Sequence, residues 1–172
     1  MVKTLAVVLA VAIVALLFAG CGNDAKTDTS TKESWLFSLQ SDGTTSFDQS
    51  TDVLSVPVGN LVGFTDRPNR LTRALTPTEF AALWTASGKD SFSADPPNAS
   101  LTYWDSDGTD AVAHTVIVEI TGNVTSTGNV LSMTLQILSP SGTVIPAKMN
   151  RASLFVDPHY RDFPGMGEFA YK

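Results

Sequence analysis

FTDRPNRLTRALTPTEFAALWTASGKDSFSADPPNA, residues 64–99, contains the one clear helix signal of the chain. Thr76-Pro-Thr-Glu79 is a capping box with proline at the first helical position. The apolar residues that follow it share one helix face: Phe80, Leu83 and Trp84. Gly88 supplies a stop, which predicts a helix of about three turns. A helix this short is not stable alone, so we expect it to pack on a sheet.

On both sides of this block the sequence alternates apolar and polar residues, which is typical of β-strands. Strands are predicted at Ser34–Gln40, Asp52–Val58, Asn60–Phe64, Ser100–Trp104, Val112–Thr121, Asn129–Leu138, Val144–Ile145 and Ala152–Val156. Pro57 has no N–H, so its strand should end there or lie at an edge. The polar segment 122–128 is bounded by glycines, so the strands around it should pair as a hairpin.

These strands, with no alternation of strand and helix, predict a mainly β fold. We expect an antiparallel sandwich or a partly open barrel of seven to nine short strands, with one short α-helix packed across it. The chain has 172 residues, of which 43% are hydrophobic and 16% charged, so a single domain with a real core is the natural expectation. The formal charge of −6 argues against nucleic acid as a partner.

The N-terminus has the order of a secretion signal. Lys3 precedes fifteen apolar residues, Leu5–Ala19, and Gly20-Cys21 follows them. Fifteen residues suit a signal-peptide core and are too few to span a bilayer, which needs about 20. Leu17-Phe-Ala-Gly-Cys21 resembles the lipobox of bacterial lipoproteins, where the cysteine carries fatty acyl chains such as palmitate and becomes the new N-terminus. Cys21 is the single cysteine, which excludes an intramolecular disulfide.

The lipobox resemblance, the composition and the strand pattern together divide the chain into four predicted parts. Residues 1–20 are the predicted signal peptide, and 21–33 are a polar tether whose flexible part has a reach of about 20 Å. Residues 34–157 form the β-rich domain, and 158–172 are a tail that either covers a sheet edge or serves recognition. The expected location is extracytoplasmic, with a lipid anchor in the membrane. If the cell has two membranes, the resemblance implies the outer membrane or the periplasmic face.

The polar loop Thr65–Arg70 has two interpretations. In the first, Asp66, Arg67 and Arg70 pair internally and fix the helix against the sheet. In the second, the arginines bind an anionic ligand. The first is favoured because Pro68 stiffens the loop, and both stay open at this point.

Three other residues invite a catalytic interpretation: Asp90, Asp95 and His114. Acid–base work needs a defined separation that sequence does not supply, so turn-forming acids and a hydrogen-bonded core or rim histidine are preferred. The acidic turn 105–110 lacks the first and twelfth ligands of an EF-hand. We therefore expect no catalytic residue, no metal site and no cofactor.

Beyond the lipobox, the motifs of residues 64–101 and the Ala-Ser-Leu-Phe-Val-Asp157 segment resemble a family of uncharacterised bacterial proteins, many of them secreted. That family has no known activity, so the resemblance implies no function. The favoured hypothesis is a lipid-anchored, non-enzymatic binding module whose partner is an envelope protein or a small ligand. The alternative is an envelope hydrolase that uses carboxylates near the helix.

Overall fold

A computed structural model describes residues 34–67, 69–86, 91–105 and 111–158. The predicted signal peptide and tether, and the tail from residue 159, lie outside the described residues. One helix, α1, spans Pro77–Ala82 within them. The strands are β1 Trp35–Ser41, β2 Thr45–Asp48, β3 Val53–Thr65, β4 Thr72–Ala74, β5 Asn98–Trp104, β6 Ala113–Thr127, β7 Val130–Ser139, β8 Lys148–Met149 and β9 Arg151–Asp157.

Six strands close into an antiparallel barrel in the order β1-β9-β5-β6-β7-β3, and β1 pairs with β3 to complete it. β2 and β8 extend the sheet beside the first half of β3, while β4 pairs with its last residues. The prediction of a mainly antiparallel β fold with one short helix is confirmed. Of the two architectures left open, the structure has the barrel, and the β1–β3 pairing closes it.

The prediction that this strand ends at Pro57 or lies at an edge is wrong, because β3 continues through Pro57 to Thr65 and pairs with both β2 and β7. Pro57 lies where β3 changes partners. Along one side of β3, the pairing with β2 ends at Ser55 opposite Ser46, and the pairing with β1 begins at Val58 opposite Ser41. The missing N–H of Pro57 therefore lies where one partner strand ends and the next begins, so no strand pairing is lost. The Pro57 carbonyl still accepts a hydrogen bond from the Asp42 N–H at 2.8 Å.

The predicted hairpin between β6 and β7 is confirmed, but most of its predicted loop is strand. β6 continues to Thr127, and irregular pairing at Gly122 accommodates the glycine. The strand predicted at Val144–Ile145 is wrong. That segment is held instead by the buried Ile145 side chain and by its carbonyl, which accepts a hydrogen bond from the Gln49 amide at 2.8 Å.

An aromatic cluster fills the barrel where β1 begins. Phe37 of β1 is fully buried and meets Phe80 of α1 edge-on, with 5.5 Å between ring centroids. The ring centroid of Phe37 is also 6.3 Å from that of Phe92, and the ring centroid of Phe92 is 4.5 Å from that of Trp84. Gly63 faces the Phe37 ring, and a Cβ at that position would come within 3.2 Å of it. The helix thus packs on the sheet as predicted, through its aromatic face.

The predicted capping box is present, but α1 is shorter than the three turns expected. The Thr76 hydroxyl accepts from the Glu79 N–H, and the Glu79 carboxylate accepts from the Thr76 N–H at 2.8 Å. The helix ends at Ala82 because the next N–H groups, from Leu83 to Thr85, bond to carbonyls three residues back. Gly88, the predicted stop, lies outside the described residues.

Glu79 should make the stability of the domain depend on pH. The Thr76 N–H, the Thr76 hydroxyl and Arg73 hold the pKa of its carboxyl below the ordinary value. The stabilisation is then present above the ordinary pKa and lost as pH falls through the lowered one. We expect Glu79→Gln to cost up to about 1 kcal/mol at pH 7. Urea unfolding from pH 7 to 3 should show the gap to wild type closing; a constant gap would contradict this role.

Candidate binding surfaces

The Thr65–Arg70 loop is organised by its backbone and by Asp66. The Asp66 carboxylate accepts a hydrogen bond from the Arg67 N–H at 2.6 Å, and its carbonyl accepts one from the Arg70 N–H at 3.3 Å. The Asp66 N–H in turn donates to the carbonyl of Ser34 at 3.3 Å. The loop is therefore fastened to the residue at which the described domain begins.

The guanidinium groups of this loop do not form the network we expected. Arg67 and Arg70 are exposed, and neither side chain has a hydrogen-bond or ion-pair partner within the described ranges. Arg73 contacts the helix start instead, with 2.6 Å between its guanidinium and the Glu79 carboxylate. Arg70 also adopts a left-handed backbone with φ of 55°, which is uncommon for a residue with a side chain.

Beside the start of β3, at the end opposite the Thr65–Arg70 loop, lies an open cleft of about 220 Å³, here called the distal cleft. Its walls are Phe47, Gln49, Asp52, Ile137, Thr143, Val144 and Ile145. A second depression of about 430 Å³ adjoins it and shares Asp52 and Ile137. Apolar walls with an amide, a hydroxyl and a carboxylate suit a small ligand that has both apolar surface and hydrogen-bond donors.

Asp52 positions the turn that borders the distal cleft. It has a left-handed backbone with φ of 56°, and its carbonyl accepts a hydrogen bond from the Leu135 N–H at 2.9 Å. Sequence reasoning missed this cleft because its walls come from three separate segments, and no motif marks Asp52.

The residues of the hydrolase hypothesis are spread over the barrel. Asp95 precedes β5, whereas His114 pairs with Tyr103 near the other end of that strand. Five residues of strand, about 17 Å, separate Asn98 from Tyr103. Asp90 and positions 106–110 of the acidic turn lie outside the described residues. In the part of the chain that the structure describes, no three His, Cys, Asp or Glu side chains are grouped to hold a metal ion.

His114 lies at the barrel rim, with its side chain 46% exposed. Its Nε2 is 3.5 Å from the Asp105 carboxylate, and its ring stacks on Tyr103 with centroids 5.3 Å apart. The Val112 N–H, and then His114, lower the pKa of Asp105. Burial raises the pKa of the Tyr103 hydroxyl. This arrangement holds the two ends of the β5–β6 connection together.

Comparison of the chain with protein-family models, with curated proteins and with solved structures found no match. The lipobox and family resemblances therefore stay predictions, and Cys21 lies outside the described residues. Within the described ranges, no helix has the length and apolar character needed to cross a membrane.

Proposed function

We propose that this protein is a lipid-anchored, extracytoplasmic binding module of the cell envelope and not an enzyme. The observation that carries the proposal is the order of the N-terminal sequence: Lys3, the apolar Leu5–Ala19, Gly20-Cys21, then a polar tether. Cys21 is the lipidation site. Two or more acyl chains would give lasting attachment, because each buried CH₂ contributes about 0.8 kcal/mol.

The placement of the two ends of the barrel supports a display function. The tether joins the domain at Ser34, and β1 starts beside the end of β3, where Trp35 pairs with Thr65. The distal cleft borders Asp52, just before the other end of β3. Thirteen strand residues separate the two, a length of about 40 Å. The chain from Cys21 therefore enters the domain at the start of β1, and the distal cleft lies by the opposite end of β3.

The filled interior of the barrel supports the proposal that a ligand binds on its outer surface. Large side chains from the strands and from the helix segment are fully buried inside it, among them Phe37, Phe80, Phe92, Leu101, Ile120, Leu131 and Met133. Protein interiors packed in this way leave no room for a ligand. We therefore assign binding of an envelope protein or a small ligand to the distal cleft, whose Val144 side chain is 72% exposed.

A ligand from envelope extract should raise the melting temperature of the purified protein, because it binds the folded state alone. We expect Val144→Arg to abolish this rise, since the new side chain would fill the distal cleft. Val112→Arg is the matched control: Val112 is 54% exposed and lies outside the cleft lining, so its variant should keep the full rise. Equal rises in both variants would contradict the assignment. Turnover of an extract component would favour the hydrolase instead.

A further inference from the structure

On the basis of the lipid anchor proposed above, we propose that one outer face of the barrel rests on the lipid bilayer. This tether face consists of Leu36, Val62, Phe64, Phe155, Arg67 and Arg70. Its aromatic rings lie at headgroup depth, and its two guanidinium groups bind lipid phosphates. The domain is then held in one orientation on the membrane.

The apolar half of the tether face comes from three adjacent strands. Trp35 and Phe37 point into the barrel, so Leu36 between them points outward, opposite Phe64 of β3. Phe155 of β9 joins them through Ser38 of β1, and its ring centroid is 6.1 Å from that of Phe64. Phe155 is 39% exposed. Leu36, Val62 and Phe64 are half-buried beside it, so the face presents one exposed ring surrounded by apolar neighbours.

The polar half of the tether face follows Phe64 directly in the chain. Arg67 and Arg70 are exposed, and Asp66, which could have paired with them, is engaged by the Arg67 N–H at 2.6 Å. A guanidinium presents its donors in a planar fork that matches a phosphate group. Arginines beside aromatic rings are suited to the boundary between headgroups and acyl chains.

The position of the tether identifies the bilayer as the occupant. Ser34 directly precedes β1 and lies two residues before Leu36, and its carbonyl accepts a hydrogen bond from the Asp66 N–H. Twelve residues separate Cys21 from Ser34, and an unstructured chain of that length has a reach of about 20 Å. A surface joined to a lipid-modified Cys21 by so few residues would meet the membrane at high effective concentration. Asp66 adjoins Arg67 in the chain and the formal charge is −6, so a zwitterionic lipid, which adds no net negative charge, is the expected surface.

The test uses the full-length lipidated protein in phosphatidylcholine vesicles. Because acylation consumes the Cys21 thiol, an introduced cysteine is the single site for a fluorescent label. Thr72→Cys places the label opposite Phe64, and Val144→Cys places it at the distal cleft. We expect spin-labelled lipid to quench the Thr72 label at least threefold more than the Val144 label. The added pair Arg67→Gln and Arg70→Gln should reduce this ratio by half or more and leave the melting temperature unchanged.

Three results would overturn the proposal. Equal quenching at both positions would show that the anchored domain has no preferred orientation. A Thr72 label shielded from both lipid quencher and aqueous iodide would show that a second copy or residues 159–172 cover the face. If the protein is unacylated and does not float with vesicles, the lipid anchor is absent and the proposed function fails as well. The mass of the protein distinguishes this outcome from the first two.

Discussion

Phe37→Ala should lower the free energy of unfolding by about 3–5 kcal/mol, the usual cost of truncating a fully buried phenylalanine. Phe37 is 0% exposed and contacts the rings of Phe80 and Phe92. The change would remove the contact that joins β1 to both the helix and the segment before β5. Because the neighbouring side chains belong to a closed barrel, they relax only partly into the space left behind.

Phe155→Ala is the matched control, because Phe155 lies on the outer face and is 39% exposed. Its loss should cost about 1 kcal/mol or less, as its burial is partial. Urea unfolding of both purified variants followed by circular dichroism measures the difference. Similar losses in the two variants would show that the aromatic cluster does not hold the barrel together.

Cys21→Ser should abolish lipid attachment completely, because Cys21 is the single cysteine and its thiol is the group to which the lipobox chemistry attaches the diacylglyceryl group. Metabolic labelling with a radioactive fatty acid measures the effect, and the mutant protein should also leave the membrane fraction. Ser50→Ala, an exposed change inside the domain, is a control that should keep full incorporation. Unchanged labelling of Cys21→Ser would end the lipoprotein hypothesis.

Local sequence patterns predicted the strands and the helix, because alternation and capping act between near neighbours. The alternation of Trp35, Phe37 and Leu39 does place these three side chains inside the barrel. Closure was not predictable, since it depends on β1 finding its register with β3. The shortest strands were missed as well, and Lys148–Met149 illustrates why: two residues are too few to show a period.

For the candidate sites too, features set by neighbouring residues were predictable from the sequence, and features that need distant segments were not. The sequence around Asp66, Arg67 and Arg70 indicated a polar turn, and the structure has one. The sequence did not show which arginine pairs with Glu79, because Arg67, Arg70 and Arg73 all lie shortly before it in the chain; in the structure it is Arg73. The distal cleft needed the fold itself, because Phe47, Ile137 and Val144 meet only once β2, β7 and the segment after β7 are in place.

The most direct test of a lipid-anchored function is the mass of the N-terminal peptide of the mature protein, purified from membranes in detergent. We expect the peptide to begin at Cys21 and to carry the added mass of a diacylglyceryl group, with or without a further acyl chain on the new amino group. A mature chain that still begins at Met1, or one that contains an unmodified Cys21, would contradict the lipid anchor.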